Sequence, residues 1–115
     1  MDFEFIRGDT QVIKFILTDL NRNIISLTSA DRIYFTVKNN SYSNDVLIQK
    51  TIGNGIELKD DGYYYVTINS DDTSKLEYGQ YGYDIELKTG TGIVKTLTIG
   101  SITLTEEYTF KGDEV

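Results

Sequence analysis

Along most of this chain hydrophobic and polar residues alternate one for one, the period of a half-buried β-strand. The alternation is cleanest at two places. Ile33, Phe35 and Val37 alternate with Tyr34, Thr36 and Lys38, and Tyr81, Tyr83, Ile85 and Leu87 alternate with Gln80, Gly82, Asp84 and Glu86. Tyr64, Val66 and Ile68 make a third core set, which leaves Tyr63 and Tyr65 outward. Phe3 and Phe5 alternate with Glu4 and Ile6 in a short first strand that ends at Arg7-Gly8-Asp9. From Thr10 to Thr18, Ile13, Phe15 and Leu17 face one way and Val12, Lys14 and Ile16 the other, so both faces of that strand are expected to be partly covered.

The remaining apolar runs are shorter. Ile24 to Thr28 reads as a short extended return, and Val46 to Ile52, Ile56 to Leu58, Val94 to Ile99 and Ser101 to Thr105 as strands. Between them, Asp19 to Asn23, Gly53-Asn54-Gly55, Asp60-Asp61-Gly62 and Thr89-Gly90-Thr91-Gly92 supply turns, because Gly, Asn and Asp accept the left-handed backbone that tight turns need. Residues 71–77 form a polar turn able to wind into one turn of helix, with Asp72 or Thr73 as cap and Leu76 tucked beneath. No segment holds a helical period over three turns. The pattern therefore predicts an all-β domain, a sandwich or barrel of about eight to nine short antiparallel strands. Residues 1–110 are expected to form this single domain and 111–115 to fray.

Composition narrows the function classes. A chain of 115 residues can bury a sizeable core without staples, and it has no cysteine for a disulfide, zinc knuckle or thiol nucleophile. It has no histidine, which removes the commonest general base and metal ligand. The formal charge of −7 argues against nucleic acid or an anionic membrane as partner, since both need clustered Lys and Arg. The N-terminal residues show no recognisable export signal and no run approaches a membrane span, so the chain is expected to be made in the cytoplasm and not exported by such a signal.

Few constellations suggest chemistry. Arg7-Gly8-Asp9 matches the integrin-binding tripeptide, but Gly and Asp there also make an ordinary turn. Asp19-x-Asn21-x-Asn23 has the first ligand positions of a calcium loop, yet Ile24 stands where the loop needs Gly and Ala30 where it needs Glu. Asp60-Asp61 and Asp71-Asp72 read as solvated turn carboxylates. Asp84 and Glu86 share one strand's polar face with no nucleophile, base or metal set beside them, so an enzyme is not expected, and neither is a cofactor. Nine tyrosines are a different matter: Tyr34, Tyr63, Tyr65 and Tyr78 are candidate anchors for a protein interface, or for sugar stacking, although sugar platforms usually add the Trp this chain lacks.

Taken in order, Ile6-Arg7-Gly8-Asp9-Thr10, Phe15-x-Leu17-Thr18-Asp19, Leu27-Thr28, Ile33-x-Phe35-Thr36-Val37-Lys38 and Ile48-x-Lys50-Thr51-Ile52 form a pattern. It continues through Asp72-Thr73-x-x-Leu76-x-x-Gly79-x-Tyr81-x-Tyr83-Asp84-Ile85-Glu86 and Val94-x-Thr96-Leu97-x-x-Gly100. Over nearly its whole length the chain resembles the immunoglobulin-like domain of bacteriophage tail and baseplate proteins, notably the N-terminal domain of the upper baseplate protein. Asn23 departs from the pattern, standing where Gly is expected. The resemblance implies an immunoglobulin-like β-sandwich with one helical turn near residues 71–77. It also implies a non-enzymatic virion component, made in the host cytoplasm, that acts by contacts with other phage structural proteins and with copies of itself. A head decoration protein and a carbohydrate-binding or adhesion module are the alternatives.

Overall fold

The computed structural model describes residues 2–18, 21–25, 27–40 and 42–106. Alternation becomes strand where it was cleanest. Among the described residues eight strands form: β1 (Asp2–Ile6), β2 (Gln11–Phe15), β3 (Arg32–Lys38), β4 (Ile48–Ile52), β5 (Gly55–Leu58), β6 (Tyr64–Ile68), β7 (Gly79–Lys88) and β8 (Val94–Thr105). One short helix, α1 (Ser70–Ser74), joins β6 to β7. The strands lie in the order β1-β8-β7-β3-β4-β5-β6-β2, a sheet nearly closed into a barrel-like shape. The inward residues of its two halves meet in one core that includes Ile33, Phe35, Val37, Tyr64, Val66, Ile68, Tyr83, Ile85, Ile102 and Leu104.

Several expectations need correction. The sheet is mixed: β1 pairs parallel with β8, and β4 shares a two-residue parallel register with β5. Residues 94–105 are one strand, not two, because Gly100 pairs directly with Tyr83 and keeps the ladder intact. Its inward position has no side chain, which leaves room for the Tyr83 ring to reach Phe3 and Phe35, with centroids at 5.7 and 5.5 Å. Among its described residues, the return expected over Ile24 to Thr28 makes an isolated bridge, Ile24 to Thr18, and no strand. In the preceding turn the left-handed backbone position falls on Arg22, at φ 67°, and not on asparagine. The helical turn starts one residue earlier than expected and ends at Ser74. Asp19 of the candidate calcium loop and the 111–115 tail lie outside the described residues.

The segment from Asn69 to Tyr81 clasps two other parts of the chain, β4 and the turn after β1. Asp72 accepts from the Asn69 N–H at 2.7 Å and pairs with Lys50 of β4 at 2.8 Å. The buried Thr73 hydroxyl accepts from the Gly8 N–H, and the Leu76 carbonyl accepts from Arg7 Nη1. Arg7 also lies 4.3 Å over the Tyr78 ring. Arg7-Gly8-Asp9 is therefore a turn whose arginine is spent on the clasp. Asp72 is likewise more than a solvated turn residue, since Lys50, distant in sequence, pairs with it and leaves it only partly exposed.

Tyr81 completes the clasp by donating its hydroxyl to the Glu77 carbonyl at 2.7 Å. Burial pushes this phenol up from its ordinary pKa, consistent with a neutral donor. Tyr81→Phe keeps the ring and loses only this bond, so chemical denaturation is expected to show a loss of about 1 kcal/mol.

Candidate docking face

The same alternation that sends Ile33, Phe35 and Val37 inward sends Tyr34, Thr36 and Lys38 outward on β3, and Gly82, Asp84 and Glu86 outward on β7. Ladder pairing aligns these residues into rows across the sheet. Gln49, Thr36, Asp84 and Ile99 form one row, and Lys38, Gly82 and Ser101 the next. Gln49 Nε2 donates to Thr36 Oγ1 at 3.2 Å, which fixes one end of the first row. Ile99 at the other end is 72 % exposed, an aliphatic residue on a polar face. Between Ile85 and Glu86 the register with β8 shifts, Leu97 being the extra residue, so the ladder is irregular immediately beside the Asp84 row.

Two shallow depressions open on this face. One, of about 210 Å³, lies over Gly82 between Lys38, Asp84 and Ile99. The other, of about 220 Å³, lies between Tyr34, Gln49, Val46 and Glu86. Thr36, Lys38 and Asp84 border both, so the two form one groove. A Cβ built on Gly82 would meet nothing within 4 Å, which means the groove floor there is open backbone.

Asp84 is the unusual group of the groove. No hydrogen bond or ion pair holds it among the described residues, and partial burial pushes its carboxyl above the usual range, with only the charge of Lys38 opposing. A raised folded-state pKa means that ionising Asp84 costs stability. The deficit is absent below the carboxyl's unfolded-state pKa and grows as pH rises through the folded value. Asp84→Asn is expected to melt at or above the wild type at pH 7 and to lose that advantage below about pH 4. Thermal melts across pH check this.

The four tyrosines do not share this face. Tyr34 stands in the groove, whereas Tyr63 and Tyr65 lie together beside β2, where Lys14 Nζ sits 4.2 Å over the Tyr63 ring and Lys59 Nζ 4.5 Å over Tyr65. The Tyr65 hydroxyl donates to Asp61, which also accepts from the Tyr63 N–H, and these bonds hold the Asp61 carboxyl below the usual range. Tyr78 is covered by Arg7. Three of the four rings thus already carry a cation over one face. Sequence reasoning passed over Ile99 and Gly82, and weighed Asp84 only as one of two carboxylates on a strand's polar face. The available signal was an isoleucine in register with a carboxylate on a polar face, but that register is visible only once β7 and β8 are paired.

Among the described residues no three His, Cys, Asp or Glu side chains gather to hold a metal ion, and no helix is long and apolar enough to cross a membrane. Compared with known proteins, the chain matches no family model, and no curated protein matches it either.

Proposed function

We propose that this chain is an immunoglobulin-like β-sandwich that works as a non-enzymatic assembly module, a structural component of a bacteriophage tail or baseplate. The observation that carries the docking role is the groove, where a largely exposed isoleucine and an unpartnered, partly buried carboxylate stand side by side on a sheet face. Both features cost the isolated protein something and are offset when a partner covers them. Two carboxylates elsewhere are occupied structurally, Asp61 by Tyr65 and Asp72 by Lys50.

Two further features support the sandwich reading. β1 and β2, consecutive in sequence, stand at opposite ends of the strand order, as they do when a chain crosses between two sheets. The sheets would then be β1-β8-β7-β3-β4 and β5-β6-β2, with the short β4 to β5 register as their seam. The bond from Tyr81 to Glu77 has the form of the tyrosine corner of immunoglobulin-like domains. The phage assignment rests on the resemblance that runs from Ile6 to Gly100. The sugar-binding alternative is weakened by the lysines over Tyr63 and Tyr65, which occupy ring faces that a pyranose would need.

Mass spectrometry of purified virions, from the phage whose genome encodes the chain, tests the reading. Peptides of this protein are expected in fixed stoichiometry with tail proteins. Virions that lack them would remove the proposal.

A further inference from the structure

The groups that line the groove indicate what chemistry a partner would bring to it. Asp84 and Glu86 outweigh Lys38, so the local charge favours a cation, in a chain that already carries −7. A divalent metal is a poor match, because only two carboxylates line the groove and an oxygen shell of six or more is needed. A compact, strongly hydrated ammonium is also poorly matched, since the nearby Lys38 forms no ion pair with Asp84. The space beside Asp84 lies over the bare backbone of Gly82, two residues along the same strand face, and is bordered by the aliphatic side chain of Ile99. Open backbone next to a carboxylate and an aliphatic wall suits a flat, weakly hydrated guanidinium with a methylene stem.

We propose that this depression receives an arginine side chain from a partner protein. The guanidinium forks onto the Asp84 carboxylate, its stem lies across Gly82, and an aliphatic neighbour of the arginine covers Ile99. The inference rests on the docking role proposed above and adds the identity of the recognised side chain.

The test is an NMR titration of the ¹⁵N-labelled protein with the peptide acetyl-Leu-Arg-Leu-amide, beside its citrulline and lysine counterparts. The arginine peptide is expected to shift the amides of Lys38, Gly82, Asp84 and Gly100 in a saturable way. Binding is expected to be at least about tenfold weaker for the citrulline peptide and for Asp84→Asn, whose spectrum should otherwise overlay the wild type. Equal binding of the citrulline or lysine peptide, undiminished binding to Asp84→Asn, or shifts centred on Tyr63 and Tyr65 would overturn the assignment. A chain present in virions whose groove ignores arginine loses only this inference. Absence from virions with arginine binding intact removes the phage role and keeps the site.

Discussion

Phe35→Ala is expected to lower the free energy of unfolding by about 3 to 5 kcal/mol. Phe35 is fully buried and lies at the middle of β3, paired with Ile85 on one side and Lys50 on the other. Its ring sits 5.5 Å from that of Tyr83, which in turn packs on Phe3, so the alanine would remove one end of a chain of aromatic contacts. Neighbouring strands are held by continuous ladders and cannot close a cavity of that size. The outward neighbour is the control: Tyr34→Ala should cost no more than about 0.5 kcal/mol by the same urea titration. A larger loss at Tyr34 than at Phe35 would mean that the faces of β3 are assigned the wrong way round.

The second large effect is expected at Asp72. Lys50 occupies a core-facing position on β4, is 9 % exposed, and meets Asp72 at 2.8 Å. Its stem passes so close to Gly55 that a Cβ there would stand 2.4 Å from Lys50 Cδ, which fixes the ammonium's route. Asp72→Ala strands a buried ammonium and removes the acceptor for the Asn69 N–H, so a loss of about 3 kcal/mol is expected. Lys50→Met keeps the stem and leaves a carboxylate with a remaining hydrogen bond and more access to water, so it should cost less. Adding Lys50→Met to Asp72→Ala should restore most of the lost stability, because the unpaired charge is then gone and only the Asn69 N–H stays without its acceptor. If the double variant were less stable than Asp72→Ala alone, packing and not the buried charge would be the source of the loss.

These two sites divide what was legible in the chain from what was hidden. The inward sets of β3, β6 and β7 could be read directly, because alternation with period two states which side chains face the core. Gly100 looked like a break since a glycine interrupts alternation, yet the paired Tyr83 turns it into accommodation. Parallel pairing of β1 with β8 joins residues about a hundred positions apart and leaves no local mark. Lys50 and Asp72 were opaque for the same reason: each reads as an ordinary surface charge until the fold brings β4 against α1. Tyr63, Tyr65 and Tyr78 were recognisable as outward aromatics, but the cations that cover them come from β2, from the loop after β5 and from the turn after β1. The groove depends on register most of all, since Asp84 and Ile99 are neighbours only across the β7 to β8 ladder.

Carboxyl footprinting with a carbodiimide and glycine amide, on the free protein and on assembled virions, tests the docking face most directly. Labelling of Asp84 and Glu86 is expected to fall sharply in the particle while that of the exposed Glu57 on β5 and Asp60 just after it stays unchanged. Unaltered labelling of Asp84 and Glu86 in the particle, with protection at Glu57 and Asp60 instead, would contradict the account.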